Sequence, residues 1–393
     1  MHIFFSVGEP SADEHAAGLM RHYRERDPGV RFTGFGGLEM QAAGLECLFQ
    51  LTDLAVMGVG QALPLLAQFR SLAIRAEEFL KKQRPDAVVL VDFPGFNWWI
   101  AKAAKRVGIP VYYFCPPQLW AWAPWRIRKV KRYIDCVLSV LQFEADWYRK
   151  HGVDVEYVGH PFFDDVARHH ISPAEIALLQ KPGKFTLGLL PGSRRHEVTL
   201  NFPVMLNIIE ELYDKHPNLH CPVACYKQWH LEKCGELLHQ HGGQLPIELR
   251  VGRTSSIIEA SDCCLMVSGS VSLEMLARKT PAVVMYRGSR LTYFLAHALL
   301  TIDYFSLPNL MVNRAMLPEY PFVREKCGMV RRMTKTLDDW LSDPSKIEAT
   351  REEMSRLADE VVEVGGLSRA AEVLYERLNH RHSTSSQIMR RAA

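Results

Sequence analysis

Along the chain, short unbroken apolar runs alternate with longer stretches in which apolar positions recur every three or four residues. Strands buried on both faces read as continuous apolar runs, whereas helices against a sheet show a 3.6-residue period, so the alternation predicts parallel sheets wrapped by helices. In the first half, strands are expected at Ile3–Val7, Arg31–Phe35, Ala87–Asp92, Val111–Phe114 and Cys136–Val140, with helices such as Glu14–Arg26 and Leu63–Lys82 between them. The pattern pauses at Gly159-His160-Pro161 and through a polar segment to Gly183. It restarts with expected strands at Phe185–Leu190, Leu219–Ala224, Cys263–Val267 and Ala282–Met285. Two such βαβ series predict two Rossmann-like domains, at 1–165 and 184–343, facing each other across a central cleft. From Ser345 to Asn379 the pattern is helical, with Met354, Leu357, Val361 and Val362 on one stripe, and the polar, basic end from His380 is expected to fray. These C-terminal helices, at 344–393, are expected to pack back on the first domain or to exchange with a partner chain in a homodimer.

At 393 residues, 48% hydrophobic and 23% charged, the composition is that of a globular protein, which excludes a disordered or collagen-like chain. A net charge of +3 gives no reason to propose a nucleic-acid partner. The longest uncharged run, Val107 to Trp125, contains Pro110, Pro116, Pro117 and Pro124, which a lipid-facing helix does not accommodate. Nine cysteines without a secretory leader point to a reducing compartment, the cytoplasm. Cys221, Cys225, His230 and Cys234 lie close in sequence, but without a CxxC pair they read as buried thiols rather than as a metal set.

Ligands of open α/β sheets bind beyond the carboxyl ends of the strands, so the strand-to-loop junctions are where chemistry is sought. After the first strand, Gly8-Glu9-Pro10-Ser11-Ala12-Asp13 offers a close turn and two carboxylates, although Ser11 or Asp13 as a plain helix cap explains the same residues. The GxGxxG spacing of dinucleotide sites is absent. After Val91, Asp92-Phe93-Pro94-Gly95-Phe96-Asn97 puts an acid at the end of a buried strand, where it can act as a general base or simply cap a turn. After Leu190, Pro191-Gly192-Ser193-Arg194 places backbone and hydroxyl donors and a forked cation before a helix, suited to a diphosphate; the alternative is a surface turn with solvated arginines. It is not a Walker loop, because no Gly-Lys-Ser/Thr follows. After Val267, Ser268-Gly269-Ser270 leads to Glu274, whose carboxylate suits vicinal sugar hydroxyls; Val271, three residues earlier, cannot complete a capping box with it.

Together with Ala55-Val56-Met57-Gly58, Pro116-Pro117-Gln118-Leu119-Trp120-Ala121-Trp122, Val158-Gly159-His160-Pro161 and Asp303-Tyr304 with Ser306-Leu307-Pro308-Asn309-Leu310, these loops resemble the lipid-A-disaccharide synthase family in order from residue 1 to about residue 320. The chain departs from the family pattern at Ala12, Pro117 and Ser270, and none of these departures removes a charged group. The resemblance implies an inverting glycosyltransferase of GT-B fold, joining UDP-2,3-diacylglucosamine to 2,3-diacylglucosamine 1-phosphate through a β(1→6) bond with release of UDP. By motif, Asp92 would be the catalytic carboxylate, with Glu9 beside it as a second candidate base on the acceptor side. Gly192, Ser193, Arg194, Ser268, Gly269, Ser270, Glu274 and Asn309 would serve the UDP-sugar, and Ser11, Asp13 and Asn97 the acceptor. No cofactor or metal is implied: no Asp-x-Asp pair stands at a strand end, and Arg194 with a helix N-terminus can take the place of a cation.

Lipid substrates imply a surface that meets the inner face of the cytoplasmic membrane. Trp98, Trp99, Trp120, Trp122 and Trp125 are followed at once by Arg126, Arg128, Lys129, Lys131 and Arg132. Aromatic and basic clusters side by side suit acyl chains and anionic headgroups, although a core role for the aromatics fits equally well. Trp120, Trp122, Arg126 and Arg128 are the residues expected there, with Val56 to Phe69 as a second apolar candidate. A UDP-sugar 2-epimerase would use the same architecture without the Trp-rich segment, and a non-catalytic lipid-binding scaffold would not need Asp92.

Overall fold

The computed structural model describes residues 1–55, 62–288, 302–323 and 328–392, with side chains described for all of these except 55, 62–65 and 382–392. The chain divides into two compact units, residues 1–164 with 363–393, and residues 165–362. The Val56-Met57-Gly58 motif lies outside the described residues.

The first unit holds a seven-stranded parallel sheet: β1 (His2–Val7), β2 (Arg31–Gly36), β3 (Leu45–Gln50), β4 (Ala87–Val91), β5 (Val111–Phe114), β6 (Cys136–Ser139) and β7 (Val155–Tyr157), in the order β3-β2-β1-β4-β5-β6-β7. The second holds a six-stranded parallel sheet: β8 (Phe185–Leu190), β9 (Leu219–Cys225), β10 (Ile247–Val251), β11 (Cys263–Val267), β12 (Ala282–Arg287) and β13 (Glu319–Phe322), in the order β10-β9-β8-β11-β12-β13. Each sheet is doubly wound. The direction of winding reverses between β1 and β4 in one and between β8 and β11 in the other, which is where such sheets open a crevice at their carboxyl edge.

The interior strands follow the apolar runs closely. The strands that the runs did not predict, β3, β7, β10 and β13, are the four edges of the two sheets. An edge strand has one neighbour and a partly wet face, so its apolar signal is diluted; β10, Ile-Glu-Leu-Arg-Val, is half-buried to exposed along its length.

The C-terminal segment is shared between the units. Helix Ser345–Val361 sits in the second, burying Met354, Leu357 and Ala358. The chain then breaks at Gly365, whose φ is +94°, and helix Gly366–Ala392 runs through the stretch expected to fray. That last helix packs on helix Pro10–Arg26 of the first unit. Tyr23 and Tyr375 meet edge to face at 5.9 Å, and a Cβ on Gly18 would lie 2.6 Å from Leu367 Cδ1. Its first turn is capped by Asp164, which accepts the N–H groups of Gly365, Gly366 (3.3 Å) and Leu367 (2.9 Å).

Candidate active site

In the first unit, Val7 and Val91 are paired at the ends of β1 and β4, so the loops beginning at Gly8 and Asp92 flank the winding reversal. The two loops interlock: a Cβ on Gly8 would lie 2.3 Å from the Phe93 ring, so no larger residue fits there without moving it. Asp92 and Phe93 both have left-handed backbones, φ 45° and 48°, a conformation that costs about 1–2 kcal/mol per non-glycine residue. The strain is held by hydrogen bonds to the Asp92 carbonyl, from Asn97 Nδ2 at 2.7 Å and from the Tyr113 hydroxyl at 2.8 Å. Burial raises the Asp92 carboxyl above its usual range, opposed by the Phe93 N–H. A carboxylate so placed is a stronger base than one in water, which is what proton abstraction from a hydroxyl requires.

Several of the expected acceptor residues take other parts. Asn97 is fully buried; it accepts from the Ser6 hydroxyl at 2.7 Å and donates to main-chain carbonyls of β1 and β4, so it fixes the backbone of the site. Asp13 is also buried and accepts from the N–H groups of Gly37 at 2.7 Å and Glu39 at 3.0 Å, capping the short helix Leu38–Ala42. Glu9 stands at the N-cap position of helix Pro10–Arg26 without a side-chain cap bond, and Ser11 is exposed in its first turn.

The tryptophan cluster divides. Trp120 is buried, its indole N–H donating to Glu144 Oε1 at 3.0 Å while the Ser139 hydroxyl donates to Oε2 at 2.8 Å, so Trp120 belongs to the core and not to a lipid-facing surface. Trp98 is likewise core. Trp122 is partly buried with the Arg126 guanidinium 4.5 Å over its ring, Arg128 is exposed, and Trp125 is 56% exposed. Within Val56 to Phe69, Leu66 is exposed, whereas Phe69 packs on Phe93 and Phe96.

In the second unit, Leu190 and Met266 are paired near the ends of β8 and β11, so the loops at Gly192 and Ser268 flank that sheet's reversal. Arg194 is the N-cap residue of helix Arg195–Lys215, and its side chain is 67% exposed. The loop's backbone donors are already engaged: Ser193 N–H and Arg194 N–H donate to Glu197 Oε2 at 2.9 and 3.1 Å. Gly192 makes this possible, with φ +111° and room for Glu197 only because it has no Cβ. A diphosphate approaching these N–H groups therefore competes with a carboxylate of the same chain.

Around the other loop, Ser270 and Gly269 are exposed, and the Ser268 hydroxyl donates to the Phe305 carbonyl at 3.2 Å. Glu274 is buried in an ion pair with Arg278, Oε1 to Nε 2.9 Å. Asn309, expected at the nucleotide-sugar, is engaged within the chain. It is fully buried, exchanging bonds with Leu317 and donating to Glu319 Oε1 at 2.8 Å, while Glu319 also accepts the N–H groups of Phe305 and Ser306. It thereby anchors the 303–309 segment beside Ser268. Tyr113 and Glu319, which hold Asp92 and this segment, escaped the sequence reading because a tyrosine in an apolar strand and a lone acid carry no pattern of their own. Among the described residues no three His, Cys, Asp or Glu side chains gather as a metal site.

Comparison with known proteins gives these loops a context. The family model for lipid-A-disaccharide synthetase matches residues 3–372. Curated lipid-A-disaccharide synthases from Myxococcus xanthus and Nitrosococcus oceani are 34% and 35% identical, over 96% of this chain and 97% of the relative, and over 80% and 81%, respectively. Among solved structures, UDP-GlcNAc 2-epimerase from Neisseria meningitidis bound to UDP-GlcNAc superposes with a TM-score of 0.61 at 13% identity, covering 96% of this chain and 99% of that one. MurG from Acinetobacter baumannii gives 0.56 at 12%, covering 95% and 99%. At such identities the structures establish the fold that GT-B transferases and epimerases share, whereas the sequence relatives discriminate between them. Strand-end acid in one sheet, strand-end cation in the other and a match along nearly the whole sequence agree, and the chain belongs to the lipid-A-disaccharide synthetase family.

Proposed function

We propose that this glycosyltransferase of lipid A biosynthesis transfers the sugar of UDP-2,3-diacylglucosamine to the 6-hydroxyl of 2,3-diacylglucosamine 1-phosphate. In this reading Asp92 takes the proton of the acceptor hydroxyl as its oxygen bonds to C1 of the donor. The bond from C1 to the diphosphate oxygen breaks with inversion, and UDP leaves with the electron pair. Arg194 meets the diphosphate and stabilises the charge that develops on it. The observation that carries the reading is the Asp92 carboxylate, made more basic by burial and fixed at a winding reversal by a strained, hydrogen-bonded turn.

Magnitudes fit this division of labour. A charge-assisted hydrogen bond supplies ~1.5–3 kcal/mol, whereas a barrier must fall by at least ~8. Positioning two bound sugars, able to contribute ~7–11, is the larger part. Because the diphosphate charge is met by Arg194, transfer is expected to proceed in EDTA. The test is a disaccharide-forming assay with both diacylated substrates in EDTA. Product from the unaltered protein and its loss in Asp92→Ala support the reading; full activity in Asp92→Ala would refute it.

The lipid substrates bring the protein to a membrane surface, and no helix among the described residues is long and apolar enough to cross one. Support for surface binding comes from Trp125, Arg126 and Arg128, with Trp99, 39% exposed, on the adjoining helix Pro94–Arg106. Each basic residue near an anionic bilayer contributes about 1 kcal/mol. Trp125→Ala with Arg128→Ala should therefore weaken binding to anionic vesicles several-fold, and unaltered binding would remove this surface from consideration.

A further inference from the structure

The loop after β8 is held by a residue from outside it. His230, in the first turn of helix Gln228–His241, is fully buried. Its Nδ1 accepts the Lys227 N–H at 3.0 Å, so Nε2 carries the ring proton and donates it to the Ser193 carbonyl, also at 3.0 Å. The ring is stacked on Trp229, centroids 3.6 Å apart, and the Arg195 guanidinium lies over the Trp229 ring at 4.8 Å. Burial lowers the His230 pKa, which favours the neutral ring that this pair of bonds needs.

Two groups thus clamp the Ser193 peptide region: Glu197 binds the N–H of Ser193, and His230 binds its carbonyl. The two bonds differ in consequence. When a diphosphate displaces Glu197 from the N–H groups, the carbonyl bond still fixes the plane of the peptide that carries the Arg194 N–H. We infer that His230 is a positioning residue for donor binding, holding the 191–195 loop in shape through the Ser193 carbonyl while its anion partner changes. This inference rests on the reading of that loop as the diphosphate site.

The test separates the two bonds of one ring. In His230→Gln the side-chain amide reaches the place of Nε2 and keeps the bond to Ser193. In His230→Asn it reaches only the place of Nδ1 and keeps the helix cap. With the full chain and UDP as probe, titration calorimetry should give Arg194→Ala at least tenfold weaker, His230→Asn about tenfold weaker and His230→Gln within twofold of the unaltered protein. The Asn and Gln variants should unfold at similar temperatures. Equal affinities for the Asn and Gln variants, whether both unchanged or both weakened, overturn the inference while the donor-site reading stands. Unaltered binding in Arg194→Ala overturns the donor-site reading and the inference with it. An independent measurement needs no variant: the ¹⁵N resonance of His230 Nε2 should stay that of a protonated, hydrogen-bonded nitrogen on saturation with UDP, and its move to the position of an unprotonated ring nitrogen would overturn the role.

Discussion

The two winding reversals solve opposite electrostatic problems. At the β1/β4 reversal the acid is half-buried and its main chain is locked: Asp92 sits in a strained turn whose carbonyl is bonded twice, and burial raises its pKa. At the β8/β11 reversal the cation is exposed, and the loop's N–H groups are satisfied by a carboxylate four residues on. The difference matches what each would have to do in the proposed function. A base gains strength when water is removed from it, so rigidity and burial serve the first loop. A phosphate clamp, as proposed for the second loop, must release its ligand as well as bind it, and the Glu197 carboxylate on its N–H groups would exchange with that ligand.

Substitutions at the two sites should separate these roles. The largest effect is expected for Asp92→Asn: turnover falls by ~10²–10⁴, while UDP affinity in calorimetry stays within twofold. Its stability changes in the opposite sense. A carboxyl whose folded pKa lies above its unfolded value destabilises the fold as pH rises from about 3.8 through the folded pKa, and the deficit is complete above it. The Asn variant should therefore melt at a higher temperature than the unaltered protein at neutral pH and lose that advantage in acid. An Asp92→Asn protein that is less stable at neutral pH would mean that the turn, not the charge, is what the residue provides.

Gly8→Ala comes next. Its new methyl group meets the Phe93 ring, and overpacking of that kind costs ~1–3 kcal/mol; chemical denaturation should register the loss together with reduced turnover. At the second site, Glu197→Ala should split two readouts that usually move together. Loss of a helix N-terminal cap costs ~0.5–2 kcal/mol of stability, yet the freed N–H groups of Ser193 and Arg194 should bind UDP several-fold more tightly. Weaker UDP binding would show that Glu197 shapes the loop for its ligand rather than standing in the ligand's place.

The smallest effect concerns the layer under the acid site. Glu144 is fully buried, its pKa pushed up to about 7 by desolvation, and desolvation, followed by the charges of Asp92 and Glu144, also raises the Cys115 thiol. Because its folded pKa exceeds the unfolded 4.5, stability should decline as pH rises through the window from about 4.5 to 7. Glu144→Gln, which keeps an acceptor for Trp120, should flatten the melting temperature across that window, and an undiminished slope would assign the titration to another group.

How far these features could be read in the residues alone depended on burial. The interior strands declared themselves because both faces are dry, and the edges β3, β7, β10 and β13 did not because one flank is wet. The strand-end acid and cation were legible as residue types at junctions, but strand order was not, so only the structure puts each loop pair at a reversal. Polar residues were the least transparent. Asn97, Asp13 and Asn309 are the kinds of residue that bind sugars, and they turn out to bind backbone, since a buried amide or carboxylate serves either purpose with the same atoms. Trp120 was obscured in the same way, its indole directed at an acid 24 residues away.

The placement of the last helix bears on how the protein is made. Helix Gly366–Ala392 covers helix Pro10–Arg26, and its first turn is capped by Asp164, so the first unit is built from both ends of the chain. During synthesis the strands of its sheet leave the ribosome early, but the helix that finishes it emerges only after all of residues 165–362 have been translated. At about 5–20 residues per second, that is a delay of ten seconds or more. Through that interval the apolar flank around Gly18 and Tyr23 stands without its own covering, and a nascent chain stalled short of residue 366 would present that surface to whatever chaperone or aggregate is nearest.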